Sequence, residues 1–174
     1  MKAITLLSST TTSALLAAVI FSTSAIAADL TVGANIGNVP WEFQNASGET
    51  VGFEVDLIAE VGKRLGKSVE FVNVPFNGLF SAVQSGRINM AISSITITDK
   101  RLESVTFAQP YYDSDQSLTV SAASGITGLS GMEGKVVGVD TGSTGDMWAT
   151  NNGGQYKFGE IRKFEGLSPA MLDL

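Results

Sequence analysis

The chain has 174 residues, 44% of them apolar, with 19 glycines and 4 prolines, which excludes a disordered chain and suits one packed domain or little more. Its net charge is −6, and because Lys2 is the only charge before residue 28, the rest carries 10 bases against 17 acids, a net of −7 that argues against nucleic acid or anionic membrane as a partner. With no cysteine and no histidine, a disulfide framework, a Ser-His-Asp triad, a cysteine nucleophile and an ordinary zinc site are all excluded, while carboxylate, lysine or tyrosine chemistry stays open.

Residues 1–27 read as an export signal: Lys2, an apolar stretch from Ala14 to Phe21, then small residues around Ala25 and Ala27. The apolar stretch is far short of the roughly 20 residues that a membrane-spanning helix needs. Leu30 to Ala34 reads as a strand, and the following "NIGNVPWEFQNASGE" as a loop from its Pro, Gly and Asn content. Leu57, Val61 and Leu65 recur at helical spacing, with Asp56 as the expected cap and Gly66 as the stop. "VEFVNV" (69–74) predicts the next strand, Asn77 caps a short helix running to Ser85, and Ile88 to Ser93 predicts a third strand. Strand, helix, strand, helix, strand predicts a parallel α/β lobe that binds its ligand beyond the carboxyl ends of the strands.

"AISSITITDKR" (91–101) leads out of that third strand. Ser94, Thr96 and Thr98 are expected to line the crevice, with Ile95 and Ile97 turned back into the lobe. Thr98 suits the cap of a short helix at Asp99, which puts Arg101 in the first turn near exposed backbone N–H groups. A guanidinium there offers paired donors to a carboxylate. Spacing alone leaves two readings, an anion site and a solvated turn whose arginine joins a surface ion pair.

Taken together, "PWEFQNASGETVGFEVDLIAEVGKRLG", "VEFVNVPFNGLFSAVQSGRINMAISSITITDKR" and "VTFAQPYY" resemble the periplasmic amino-acid-binding proteins of ABC importers, solute-binding protein family 3, from about Leu30 to Thr144. The resemblance implies an α/β, two-lobed periplasmic-binding-protein-like fold of type II, with parallel doubly wound lobes. It matches Arg101 to the arginine that holds the ligand carboxylate, and Ser94 and Thr96 to the neighbouring contacts. Phe76 matches the aromatic on the ligand side chain, while Asn38 and Trp41 sit in the loop that meets the ligand's distal end. Trp41 equally suits packing over the first strand, and Phe76 suits folding onto its own lobe. Asp140 stands where a neutral residue is frequent, a departure that would favour a basic ligand.

Farther on, Gln116 to Ala122 alternates and, by resemblance, crosses between the lobes, so the expected layout is lobe I at 28–116, a hinge crossing at 117–122 and a partial lobe II at 123–174. Val136 to Val139 predicts a strand, and "DTGSTGD" opens the next helix. That turn lacks the Lys-Ser/Thr of a phosphate loop and is no G-x-S-x-G elbow. By resemblance Ser143 and Thr144 close over the ligand carboxylate through their backbone N–H groups. Tyr156 to Phe164 predicts a strand, and Ser168-Pro169 starts a helix.

The chain stops soon after, so we read it as a C-terminally truncated member with an incomplete second lobe, the acid for the ligand ammonium lying beyond Leu174. The resemblance implies an exported, periplasmic, monomeric binding protein without catalysis or cofactor, which hands an amino acid to the membrane permease subunits of an ABC transporter. A ligand-sensing domain of a receptor and a dehydratase-like enzyme share the fold and stay open.

Overall fold

A computed structural model of the protein describes residues 28–174, and the export signal read at residues 1–27 lies outside them. Strand β1 (Leu30–Ala34) forms where predicted. The region after it is more ordered than its composition suggests, since β2 (Phe43–Gln44) pairs antiparallel with β3 (Thr50–Val51). Asn45 closes this hairpin, its Oδ1 accepting the N–H groups of Ser47 and Glu49, both at 3.0 Å.

Helix α1 (Phe53–Leu65) starts earlier than the pattern predicts and does not use Asp56 as its cap. Gly52 stands there instead, at φ 133°, with room for a Cβ blocked by the Trp41 carbonyl oxygen 2.2 Å away. That close approach satisfies the helix start: the N–H groups of Phe53 and Glu54 donate to the carbonyls of Pro40 and Trp41, both at 3.0 Å. Gly66 ends the helix in the left-handed region, as expected.

Strand β4 (Val69–Asn73) pairs parallel with one side of β1, and β5 (Met90–Ala91) with the other. Between them a 3-10 turn at Phe76–Gly78 leads into α2 (Leu79–Gln84), so Asn77 lies inside a turn and caps nothing. The predicted strand 88–93 shrinks to two paired residues, because Ser94, at φ 49°, turns the chain away. Successive side chains of β1 face opposite layers. Val32 packs with Ile58 of α1 and with Ile92, while Gly33 faces Leu79 and Ile88, which cluster with Val74, Phe76 and Ala82. Helices thus cover both faces of the sheet, and each fully buried aliphatic side chain contributes about 1.5–3 kcal/mol.

Helix α3 (Asp99–Leu102) begins where predicted. Residues 105–121 then form no regular element, so the alternation at 116–122 does not produce a strand. The second lobe holds β6 (Val136–Asp140), α4 (Thr144–Asn152), β7 (Glu160–Phe164) and α5 (Leu167–Leu172), with β6 and β7 parallel. Strand β7 starts later than Tyr156 because the chain is still turning there: the Phe158 N–H donates to the Gly153 carbonyl at 3.0 Å, and Lys157 sits at φ 52°.

Candidate functional site between the lobes

The carboxyl ends of β1 and β5 open onto a cavity of about 660 Å³ that is closed on its other side by β6 and the start of α4. Arg101 lines it from α3. The Thr98 hydroxyl accepts the Arg101 N–H at 3.3 Å, which fixes the first turn of α3 and aims the side chain inward. The residue is 7% exposed, and its guanidinium lies over the rings of Phe76 and Phe80, 5.3 and 5.0 Å from their centroids. One amino group donates to the Thr96 carbonyl at 2.7 Å and the other to the Gly142 carbonyl of the opposite lobe at 3.1 Å. Five N–H donors are present on a guanidinium, so donors remain. Among the described residues no carboxylate pairs with it. Burial lowers its pKa, which marks a charge held without a counter-ion.

Ser94 and Thr96 line the cavity, and so do Asn38 and Phe76. Asn38 donates through Nδ2 to the Ser94 hydroxyl at 3.3 Å. Phe76 is buried in the core cluster of α2 and also presents its ring to the cavity, so the two readings of that residue describe one position. Three expectations need correction. Thr98 does not line the cavity, since its hydroxyl is spent on the helix cap. Ile97 is 40% exposed and does not turn into the lobe, whereas Ile95 does. Trp41 stays outside the cavity, packed edge-on against Tyr112 at 4.8 Å and Phe53 at 5.7 Å.

From the second lobe, Ser143 and Thr144 both reach the cavity, but the turn uses Ser143 itself. The Ser143 N–H donates to the Asp140 carbonyl at 3.1 Å, and its hydroxyl accepts the Asp146 N–H at 3.1 Å. The Asp146 carboxylate in turn accepts the Gly142 N–H at 3.0 Å. The Ser143 cap and this reach back to Gly142 together hold the turn. Thr144, at the first helical position, has an N–H with no partner inside the helix. Its hydroxyl accepts from Gln116 Nε2 at 2.8 Å and lies 3.5 Å from that of Thr96, which joins the lobes.

Asp140 was singled out from the sequence, but its partner Asn35 and two glutamates that build this place were not. Asn35 and Asp140 both line the cavity and meet across it, Asn35 Nδ2 donating to Asp140 Oδ2 at 3.3 Å. The other Asp140 oxygen accepts the Gly166 N–H at 2.9 Å, and burial raises the pKa of the carboxyl. Behind the wall, Glu42 and Glu54 are fully buried. Ser93 donates to Glu42 at 2.6 Å, and the N–H and hydroxyl of Ser94 donate to Glu54 at 2.8 and 3.2 Å. No sequence signal pointed to Glu42: between Trp41 and Phe43, alternation assigns it to the outward, polar face, and only the fold buries it.

Residues 30–169 match the bacterial extracellular solute-binding proteins, family 3. The chain belongs to that family. Among family relatives, the histidine-binding periplasmic protein of Salmonella typhimurium is 32% identical over 130 residues, which are 74% of this chain and 50% of the relative. The arginine-binding extracellular protein ArtP of Bacillus subtilis is 32% identical over 114 residues, 66% of this chain and 44% of the relative. The chain thus spans about half the length of the curated relatives it matches. Among solved structures, an ancestral arginine-binding protein bound to arginine aligns with a TM-score of 0.73 at 32% identity, covering 83% of this chain and 64% of that one. An ancestral amino acid-binding protein, a precursor of cyclohexadienyl dehydratase, aligns at 0.72 with 30% identity over 83% of this chain and 64% of that one. The solute-binding family 3 fold, α/β with two lobes and parallel sheets, is the one seen here. Among the described residues no helix is long and apolar enough to cross a membrane.

Proposed function

We propose that this chain carries the binding function of an ABC importer: an amino acid is held in the cleft between the lobes and handed, chemically unchanged, to a membrane permease. One observation carries the reading. Arg101 is a buried cation with donors to spare and no acid beside it among the described residues, in a cavity lined by hydroxyls. A ligand α-carboxylate supplies the missing negative charge through two parallel hydrogen bonds. Ser94, Thr96 and the Thr144 N–H complete its shell, Phe76 packs on the ligand stem, and Asn38 and Asn35 stand at the rim. Ser143 serves by holding the turn, and Trp41 by packing the lobe. A cationic side chain directed at Asp140 makes basic amino acids the first to test. The site of action is the periplasm, and the binding unit is a monomer.

Calorimetric titration of the chain with L-arginine and L-histidine tests this. Uptake of one of them is expected, with the ligand recovered intact. Arg101→Met should weaken it by about 100-fold, near 3 kcal/mol, the scale of a lost charged hydrogen-bond pair. An Arg101→Met protein that folds and binds as tightly as the parent would end the proposal, and conversion of the ligand would favour an enzyme.

A further inference from the structure

Two buried carboxyl groups lie directly behind the cavity wall, and the binding reading gives them no role. Glu42 comes from the loop between β1 and β2, and Glu54 from the first turn of α1, so they are brought together only by the fold. Both are 0% exposed. One oxygen of each is satisfied: Ser93 Oγ donates to Glu42 Oε1, while Glu54 Oε1 collects the Ser94 N–H, the Ser94 hydroxyl and the Tyr111 hydroxyl. The second oxygen of each, Oε2, is buried with no partner as long as both groups are counted as ionised acceptors. Glu54 is within hydrogen-bonding reach of Glu42. No lysine or arginine pairs with either among the described residues, and Tyr111 is the other titratable group that faces them.

Two bare carboxylates in contact inside a protein repel one another and leave both inner oxygens unsatisfied. One proton removes both penalties. We propose that Glu42 and Glu54 hold a single proton between their inner oxygens, Glu42 as the donor, and that this carboxyl–carboxylate pair is the positioning device for Ser93 and Ser94. Ser94 needs one: at φ 49° it is a non-glycine residue in the left-handed region, where the backbone is costly unless its surroundings hold it. Glu54 does so by accepting from its N–H and its hydroxyl together. Ser93 is fixed from the Glu42 side, and its hydroxyl accepts the Asn35 N–H at 3.1 Å, so the pair also sets the end of β1. Burial and the neighbouring Glu54 raise the Glu42 pKa to about 9, which agrees with a proton retained at neutral pH. The Tyr111 hydroxyl is likewise raised, by burial and by the two carboxyls, and stays a donor.

The role in ligand binding rests on the proposed function, but the shared proton can be tested without a ligand. In the chain labelled with 13C at glutamate carboxyl carbons, one carboxyl should keep its proton well above pH 7, and the Ser94 amide signal should move with the same midpoint. Glu42→Gln should abolish that titration, and Glu54→Gln should lower its midpoint. Should all glutamates ionise in the ordinary acid range, with a water between Glu42 and Glu54, or should the high-pH titration survive Glu42→Gln or keep its midpoint in Glu54→Gln, the shared proton is refuted. A Ser94 signal that ignores the titration refutes the positioning role. Binding gives the second readout. The dissociation constant of the parent for L-arginine, divided by that of Glu42→Gln, should rise about tenfold between pH 7 and pH 10, the division cancelling the ligand's own titration. A constant ratio overturns the positioning role in binding. If L-arginine binds to neither protein, the ligand reading is what has failed, and the carboxyl and Ser94 titrations still decide the inference.

Discussion

Arg101 and Glu42 show how much one residue's surroundings decide. Both are ionisable and buried, yet the guanidinium keeps its charge with no acid beside it among the described residues, while burial favours the neutral form of the carboxyl. A pH dependence of stability follows from the second. An unfolded glutamate ionises near 4.5 and Glu42 in the fold near 9, so the folded state holds the extra proton between those values. Stability from this group is fully present below pH 4.5 and is lost as pH rises toward 9, by at most ~1.4 kcal/mol per unit. Urea unfolding from pH 5 to 9 should show that decline, and Glu42→Gln should flatten it. Thr98 sets a second expectation. Its hydroxyl caps α3 and so aims Arg101; Thr98→Ala should cost about 1 kcal/mol in urea unfolding and weaken amino-acid uptake in the same variant.

At the scale of elements, the pattern predicted what neighbours in sequence decide. The start of α3, the end of α1 and the strands β1, β4 and β6 were legible because apolar alternation, Thr98 and Gly66 act locally. The start of α1 was not, since its caps are carbonyls of Pro40 and Trp41, contributed by another loop. In the site, Arg101, Ser94, Thr96 and Phe76 were legible from a short stretch and a resemblance. Asp140 stood out as a departure from the family, but Asn35, Glu42 and Glu54 did not, because each acquires its partner across the fold. The centre of β1 illustrates such a constraint in packing. A Cβ at Gly33 would lie 2.4 Å from Ile88 Cδ1 and 3.1 Å from a Leu79 methyl. Gly33→Ala should destabilise by about 1–3 kcal/mol. Adding Ile88→Val removes the nearer methyl, so the double variant should lose less than the sum of the two, as measured by a double-mutant cycle.

For the whole molecule, few direct bonds among the described residues span the two halves: Arg101 to Gly142, Gln116 to Thr144, Asn35 to Asp140, Ser168 to Gly37, and the Thr96–Thr144 contact. A ligand held by both lobes adds to these and stabilises the folded state by mass action. At 100 times its dissociation constant it should contribute about 2.7 kcal/mol, raising Tm by roughly 5–10 °C in a thermal melt. Arg101→Met should show no such rise at the same concentration. The irregular segment between α3 and β6 is the remaining feature with a practical side. Among the described residues, 106–120 make no backbone–backbone hydrogen bond, and Ser114 within them is exposed. Side chains alone tie this segment down, through Tyr111 to Glu54, Tyr112 to Trp41 and Gln116 to Thr144, and the chain has no cysteine of its own. A dye attached through a thiol at position 114 would sit on exposed chain between those side-chain anchors, where a shift of its emission on ligand addition would be read with both sheets untouched.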